Sequence, residues 1–268
     1  MKVQNKVIVV TGGGSGMGRE LVLALLAKGA SVAAVDINTS ALEETLELAG
    51  RSRDKLATYI VNITDRALVD ALPGQVISRF GTVDGIINNA GIIQPFVRLK
   101  DLDDAAIDRV MNVNLFGTLY MTKAFLPHLL ARPEAHITNI SSMGGFLPVP
   151  GQTIYGASKA AVKLLTEGLN SELLGTNVRV TVVFPGAIGT NIAVNSGVAD
   201  SLQMKGGAGA VKMLAPGKAA RIIIDGIEHD RYRVLVGADA RLMDAVYRLN
   251  PQRAARFIYN QMRVLLPR

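Results

Sequence analysis

Cysteine is absent from the 268 residues of this chain. Disulfide bonds, zinc–thiolate centres and a nucleophilic thiol are therefore excluded. The three histidines, His128, His136 and His229, are too widely scattered to indicate a metal motif. We expect no metal site, and the lack of cysteine is compatible with a reducing cytosol.

Long apolar runs are also absent, and aromatic residues make up only 5% of the chain. The apolar stretch near the N-terminus is long enough for a buried strand but too short for the core of a secretory signal. No segment approaches the ~18 continuous apolar residues that a membrane span needs. We therefore expect a soluble, cytoplasmic protein.

Negative charge is in deficit, because 29 lysines and arginines face 22 acidic residues. Much of the excess lies near the end, where six arginines from Arg241 onward accompany one acid, Asp244. The rest of the chain has no arginine-rich run interleaved with aromatics, so we expect no nucleic-acid binding. A basic nucleic-acid module remains an alternative that rests on charge alone.

The N-terminal part follows the plan of a dinucleotide-binding unit. An apolar strand at residues 6–10 leads into a glycine-rich turn, a helix at 19–28, and a second strand at 31–35 that ends at Asp36. Glycines let backbone N–H groups approach a pyrophosphate at the helix N-terminus. The candidate cofactor residues of this unit are Thr11, Gly12, Gly14, Ser15, Gly16, Met17, Gly18, Asp36 and Ile37.

Asp36 bears on the choice of cofactor. A carboxylate at the end of the second strand accepts hydrogen bonds from ribose hydroxyls but repels a 2′-phosphate. No basic residue follows Asp36 directly, and Ser15 occupies the turn position where one would compensate. This favours NAD over NADP, although Arg19 leaves the NADP alternative open.

Strands and helices continue to alternate along the chain. The pattern predicts helices at 40–48, 66–80, 104–111, 115–130, 155–174 and 218–229, and strands at 56–61, 83–87, 136–140, 178–184 and 233–236. Repeated βα units imply an α/β fold with one doubly wound parallel sheet covered by helices on both faces. Ligands of such sheets bind beyond the carboxyl ends of the strands. Thr11, Asp36, Asn89, Ser142 and Pro185 all fall there.

Tyr155 and Lys159 lie four residues apart at the predicted start of a long helix. At that spacing the two side chains share one helix face. A fixed positive charge favours the phenolate and lowers the tyrosine pKa from its usual ~10 toward the working range. The pair is a candidate general acid/base, although a solvated Tyr–Lys pair is the commoner reason for this spacing.

Six motifs in order resemble the short-chain dehydrogenase/reductase family. They are Thr11-Gly12-x-x-x-Gly16-x-Gly18, Asn88-Asn89-Ala90-Gly91, Asn114, Ser142, Tyr155-x-x-x-Lys159, and Pro185-Gly186 followed by Thr190. The resemblance covers residues 5–237 or so. It implies a Rossmann-type domain over 1–237 and an NAD-dependent oxidoreductase.

The resemblance implies four catalytic residues. Tyr155 is the expected general acid/base, Lys159 the residue that lowers its pKa and binds the nicotinamide ribose, and Ser142 the group that binds the substrate oxygen. Ser141 is the alternative hydroxyl. Asn114 is expected to hold a water in a proton relay, and a plain structural asparagine is its alternative.

The resemblance also extends the list of cofactor residues. Asn62 stands where the family often has aspartate, and its amide can both donate to and accept from an adenine. Thr190 and Ile188 are expected to hold the nicotinamide amide. The further candidates are Asn62, Ile63, Asn89, Ala90, Gly91, Tyr155, Lys159, Pro185, Gly186, Ile188 and Thr190.

The resemblance implies that residues 191–215 form a flexible segment over the substrate, and the glycines at 206–209 indicate a hinge. This segment and the loop at 146–150 are mostly apolar. They favour an uncharged, hydrophobic secondary alcohol or ketone, steroid-, lipid- or terpenoid-like. The alternative is that these residues close against each other without contacting substrate.

Residues 238–268 form a predicted basic, amphipathic helical extension, because apolar residues recur at helical spacing beside arginines. We expect it to pack on its own domain or on a partner subunit; contact with an anionic membrane surface is the alternative. The resemblance implies a homodimer or homotetramer through the helices at 115–130 and 155–174. The two further functional alternatives are an NADP-linked ketoreductase and a catalytically silent cofactor-binding scaffold.

Overall fold

Seven strands form one parallel sheet within residues 1–198, 213–263 and 266, which the computed structural model describes. Their order in the sheet is β3-β2-β1-β4-β5-β6-β7. The predicted doubly wound parallel sheet is therefore confirmed. The strands are β1 Val7–Thr11, β2 Ser31–Asp36, β3 Leu56–Ile60, β4 Gly85–Asn88, β5 Ala135–Ile140, β6 Val178–Pro185 and β7 Arg233–Val236.

Helices connect the strands and differ from the sequence-based prediction mainly at their ends. The described helices are α1 Gly16–Ala27, α2 Thr39–Leu48, α3 Arg66–Phe80, α4 Asp104–Met111, α5 Thr118–Leu130, α6 Thr153–Glu172, α7 Ile192–Asn195, α8 Pro216–Glu228, α9 Ala238–Leu249 and α10 Pro251–Met262. Helix α1 begins at Gly16 instead of Arg19, so its first turn lies within the glycine-rich segment. A π-helical turn, Asn112–Gly117, joins α4 to α5.

Both faces of the sheet are covered by helices. One face packs against α1, α2 and α8, with Leu21, Leu25 and Ile223 fully buried. The other packs against α3, α5 and α6, with Met121 and Phe125 among the buried side chains. Strands that are buried on both faces are continuously apolar, and this is why the sequence predicts them.

The strand order reverses at β1, and this reversal positions the site. β1 pairs with β2 on one side, where Thr11 lies opposite Val35, and with β4 on the other, where Val10 lies opposite Ile87. A crevice opens beyond the carboxyl ends of strands at such a switch point. The glycine turn after β1 and the Asn89–Gly91 turn after β4 therefore face one cleft.

The C-terminal helices pack beside the sheet on the loop that follows β5. Leu147 of that loop is buried with Met243 of α9 and with Ala254 and Ile258 of α10. A carboxylate oxygen of Asp239 also accepts a hydrogen bond from the Ala187 N–H, 2.7 Å away, just after β6. The extension therefore contacts the same chain at two loops beside the cleft.

None of the helices in the described part of the chain is long and apolar enough to cross a membrane. The described residues also contain no cluster of histidine and acidic side chains able to hold a metal ion. The predicted hinge at 206–209, and most of the predicted segment 191–215, lie outside the described residues.

Candidate active site

The turn between β1 and α1 has backbone geometry that requires glycine. Gly12 and Gly16 have φ angles of 68° and 52°, in the region that favours glycine. A Cβ atom on Gly18 would overlap the carbonyl oxygen of Gly12. The side chain of Ser15 makes no cap hydrogen bond to α1, and the first residues of this helix, Gly16, Met17 and Gly18, line the cleft. The N–H groups at a helix N-terminus and the helix dipole favour a bound phosphate.

Asp36 is fixed at the rim of this turn. Its Oδ2 accepts from the Gly14 N–H at 3.0 Å and its Oδ1 accepts from the Asn38 N–H at 3.0 Å. Arg19, the residue that left NADP open, is engaged elsewhere. Its guanidinium binds both carboxylate oxygens of Glu44, at 2.7 and 2.6 Å, and donates to the Gly14 carbonyl.

A cleft of about 450 Å³ runs along the ends of the strands. Its size is within the usual range of small-molecule sites, about 300–1,000 Å³. The sequence-predicted residues that line it are Gly12, Ser15, Gly16, Met17, Gly18, Asp36, Ile37, Asn62, Ile63, Asn89, Ala90, Gly91, Ser142, Tyr155, Lys159, Pro185, Gly186, Ile188 and Thr190.

Three predicted residues lie behind the lining. Thr11 Oγ1 accepts from the N–H groups of Asn89 and Ala90, both at 3.0 Å, and so ties the ends of β1 and β4 together. Gly14 contributes the N–H that holds Asp36. These two residues shape the cleft and do not line it.

Asn114 is the third residue behind the lining, buried in the π-helical turn. Its amide exchanges two hydrogen bonds with the backbone of Ile92, at 2.9 and 3.0 Å, and donates to Ser158 Oγ at 3.0 Å. Both amide hydrogens are thus used within the protein. Asn114 joins the loop after β4 to α6; the predicted water relay stays a prediction.

Tyr155 lies in the first turn of α6 and is held against Ser142, which follows β5. The Ser142 hydroxyl accepts from the Gly144 N–H at 3.0 Å and hydrogen-bonds Tyr155. Burial raises the pKa of Tyr155, and the hydrogen bond from Ser142 offsets this only in part. The sequence predicts a lowered pKa for Tyr155. In the structure this pKa is raised instead, because burial removes water from the phenolate.

Lys159 lies one turn after Tyr155 and is also buried. Its Nζ donates to the Ile140 carbonyl at 3.0 Å. Burial lowers the pKa of this ammonium group to about 8. A Cβ on Gly91 would lie 3.1 Å from Lys159 Nζ and 3.2 Å from Asn114 Oδ1, so these groups converge on one end of the cleft.

Ser141, the alternative hydroxyl, has a different environment from Ser142. Its Oγ donates to the Lys159 carbonyl at 2.7 Å and the residue is buried. That bond anchors β5 to α6. The geometry therefore favours Ser142 as the hydroxyl that meets a substrate.

The amide of Asn62 is partly committed to its own turn. Its Oδ1 accepts from both the N–H and the hydroxyl of Thr64, at 3.1 and 2.9 Å. The Asn62 amide can therefore donate a hydrogen bond to a ligand, but its oxygen is not free to accept one. Of the two hydrogen bonds to adenine that the sequence predicts, only the donated one is available.

Comparison with known proteins agrees with this architecture. The short chain dehydrogenase family profile matches residues 6–200. The chain belongs to this family. SadH of Mycobacterium tuberculosis, which carries an oxidoreductase name, is 38% identical over 253 residues, covering 92% of this chain and 91% of SadH.

Solved structures of short-chain dehydrogenases share the fold over nearly the whole chain. A Burkholderia phymatum member in complex with NAD is 26% identical with a TM-score of 0.81, covering 93% of this chain and 96% of its own. A Burkholderia cenocepacia member in complex with NADP is 27% identical with a TM-score of 0.80, covering 96% and 99%. Family membership makes the chain an oxidoreductase acting on CH–OH or keto groups.

This short-chain dehydrogenase also contains a site residue that the sequence analysis missed. Gln94 is fully buried, and its Oε1 accepts from the N–H groups of Ile154 and Tyr155, at 2.8 and 3.0 Å. It thereby caps α6, because the N-cap residue Gln152 has no side-chain cap bond. No local pattern could reveal this contact, since about 60 residues separate the partners.

The segment after β6 of this short-chain dehydrogenase, which includes α7, reaches back over the glycine turn. Asn195 Nδ2 donates to Ser15 Oγ at 2.9 Å, and a Cβ on Gly16 would lie 3.3 Å from the Cβ of Thr190. Further lining residues missed by the sequence analysis are Val35, Asn38, Ala41, Val61, Ile92, Ile93 and Val113. Most of them are apolar side chains with no motif to mark them.

Proposed function

We propose that this chain is an NAD-dependent oxidoreductase that transfers a hydride between nicotinamide and a hydrophobic secondary alcohol or ketone. The observation that carries the proposal is the convergence of Ser142, Tyr155 and Lys159 at one end of a cleft whose other end is formed by the glycine turn and Asp36. A catalytically silent scaffold would not need this convergence.

The residues present fit a nicotinamide dinucleotide. The turn has no room for a Cβ at Gly18, and the first residues of α1 line the cleft. Asp36 would bind ribose hydroxyls and disfavour a 2′-phosphate. Since Arg19 is already paired with Glu44, no free cation among the described residues of this turn compensates for Asp36. This supports NAD over NADP, the nearest alternative.

The bound nicotinamide would supply the hydride chemistry. Ser142 would donate a hydrogen bond to the substrate oxygen as charge develops there. Tyr155 would give its proton to a carbonyl oxygen or take one from an alcohol. With a raised pKa, Tyr155 holds its proton at neutral pH, so ketone reduction is favoured there and alcohol oxidation at higher pH. Lys159 would hold the ribose beside the tyrosine.

The lining supports an uncharged substrate. Asp36 and Lys159 are the only charged side chains among the described residues of the cleft, and both already have assigned roles. Ile92, Ile93 and Ile192 are among the apolar side chains that line it. The proposed substrate is accordingly a steroid-, lipid- or terpenoid-like alcohol or ketone. The cytoplasmic location and the homodimer or homotetramer stay predictions.

The test is NADH production from NAD and a panel of secondary alcohols, ranging from small hydroxy acids to steroids. Tyr155→Phe should abolish turnover while NADH still binds, because the ring and the other cofactor contacts remain and only the hydroxyl is lost. Turnover that survives in Tyr155→Phe contradicts the assigned acid/base, and a preference for charged hydroxy acids contradicts the substrate class. Binding without turnover across the panel supports the scaffold alternative.

A further inference from the structure

The outer face of α9 and α10 exposes large apolar side chains. On α9, Leu242 and Leu249 are 63% and 86% exposed, and on α10, Phe257 is 52% exposed. Leu242, Ala245 and Leu249 follow one another at the i, i+3, i+7 spacing of a single helix stripe. The opposite face of the two helices is fixed to the domain by Met243 and Ile258, so the helices are anchored while this outer face has no partner in the described chain.

The exposed sides of the same two helices carry uncompensated positive charge. Arg241, Arg253, Arg256 and Arg263 are exposed, and none has a side-chain hydrogen bond or ion pair among the described residues. The two acids of this region point elsewhere. Asp239 binds the Ala187 N–H, and Asp244 is paired with Arg233 and Arg248, at 3.1 and 3.0 Å.

The charge and the apolar side chains of this face together distinguish two possible partners, a second copy of this chain and an anionic bilayer. A two-fold contact with a second copy through this face would bring the same arginines toward each other, which costs free energy without an acid to separate them. A stripe of leucine and phenylalanine flanked by arginines is the pattern of a helix that lies in the headgroup region of an anionic bilayer.

We propose that the outer face of α9 and α10 docks this protein on the surface of an anionic lipid bilayer. Leu242, Leu249 and Phe257 insert among the acyl chains, and the four arginines bind lipid phosphates. The docking is peripheral, because the helices remain packed on the domain by their inner faces. It involves no residue of the proposed catalytic mechanism, so it can be tested without knowing the substrate.

The position of this face connects it to the cleft. Helices α9 and α10 pack on Phe146 and Leu147, in the loop that leads to the Tyr155 helix, and a Cβ on Gly151 would lie 2.8 Å from Leu266. Resting on the proposed function, we infer that docking brings the substrate end of the cleft near the bilayer, where a lipid-soluble alcohol or ketone is concentrated.

The test is co-sedimentation of the full chain with vesicles of phosphatidylcholine alone and of phosphatidylcholine with phosphatidylglycerol, at low and high salt. We expect binding to the anionic vesicles and its loss in high salt. The double change Arg253→Glu with Arg256→Glu should weaken binding about 30-fold or more. The matched control, Arg51→Glu with Arg53→Glu, changes the net charge equally on another surface and should retain most of the binding.

Apolar insertion is tested separately. Leu249→Ser with Phe257→Ser should weaken vesicle binding about tenfold or more, whereas Leu48→Ser with Leu174→Ser, at two exposed leucines elsewhere, should not. NADH binding by every variant verifies its folding, and light scattering reports its oligomeric state.

Three results would overturn the proposal. They are no sedimentation with anionic vesicles, equal losses in the control variants, and oligomer dissociation on Leu249→Ser with Phe257→Ser without any change in vesicle binding. The last would assign the face to a second copy. Because vesicle binding needs no turnover, an inactive enzyme that still sediments would contradict the proposed function and leave the docking intact.

Discussion

Gln94 provides a direct test of how the fold positions the proposed acid/base. Its Oε1 accepts from two first-turn N–H groups of α6, those of Ile154 and Tyr155, and its Nε2 donates to the Gly151 carbonyl at 3.2 Å. Gln94→Ala removes these bonds and leaves a small space in a buried place. The neighbouring turn, which carries the Tyr155 ring, then loses its cap.

The magnitude follows from the groups that lose partners. Loss of a helix cap costs about 0.5–2 kcal/mol, and a buried donor left without an acceptor costs about 1–3 kcal/mol. We expect the free energy of unfolding to fall by about 2–3 kcal/mol in Gln94→Ala, since water can enter the space and restore part of the bonding. A displacement of the phenol by ~1 Å would lower kcat by up to about 100-fold.

The assay separates positioning from folding. Urea unfolding gives the stability, steady-state kinetics give kcat and KM, and fluorescence titration gives the NADH affinity. NADH binding should change by no more than about twofold, because the glycine turn lies on other elements and keeps its own contacts. Gln152→Ala is the matched control, since it removes a neighbouring amide that donates to the Gln94 carbonyl but caps nothing.

Gln94→Glu retains an oxygen that accepts from the N–H groups of Ile154 and Tyr155, but it loses the donor to the Gly151 carbonyl. It should therefore recover only part of kcat, and its negative charge should move the rise of alcohol oxidation to higher pH by raising the pKa of Tyr155 further. The reasoning is refuted if Gln94→Ala keeps wild-type kcat while losing stability, or if Gln152→Ala lowers kcat as much.

The remaining predictions concern a buried charge and cofactor choice. The pKa of Lys159 in the folded protein is about 8, below its ordinary 10.5. Between these two pH values the unfolded chain binds more protons than the folded one. The free energy of unfolding should therefore rise with pH over this range, by up to about 3 kcal/mol relative to Lys159→Met. Urea unfolding of both proteins from pH 7 to 10 checks this, and parallel curves would contradict the buried charge. Asp36→Ala should weaken NADH binding about 10- to 100-fold through its lost charge-assisted hydrogen bonds, and Glu44→Gln added to it should strengthen NADPH binding by releasing Arg19, whereas Glu44→Gln alone should leave NADH binding nearly unchanged. Fluorescence titration with both cofactors measures these effects; NADPH affinity that responds to neither change would refute the cofactor argument.

Much of the fold was predictable because its signals are local. Apolar strands buried on both faces, such as Ser31–Asp36, interrupt the helical periodicity clearly. The ends of elements were less accurate. Gly16 and Gly18 have low intrinsic helix propensity, so α1 was expected to begin at Arg19. In the structure Gly18 lies in the first turn of α1, packed directly against Gly12 and Asn89.

Within the candidate site, the sequence identified the proposed catalytic residues but not the residue that positions them. The helical spacing of Tyr155 and Lys159 identified the pair. The direction of the Tyr155 pKa shift was predicted wrongly. Spacing shows a neighbouring charge, but it cannot show burial, and burial is the larger effect here. Gln94 was missed because its partners are distant in sequence.

The sequence by itself determined the succession of strands and helices along the chain, the glycine turn, and the residue types available for acid/base catalysis. These depend on contacts within one turn or one strand. Only the tertiary structure decided that Arg19 is paired with Glu44, that Asn114 joins the loop after β4 to α6, and that the exposed sides of α9 and α10 carry both arginines and large apolar side chains. Those facts depend on distances between residues far apart in the chain, which packing of the whole domain fixes and local patterns do not encode.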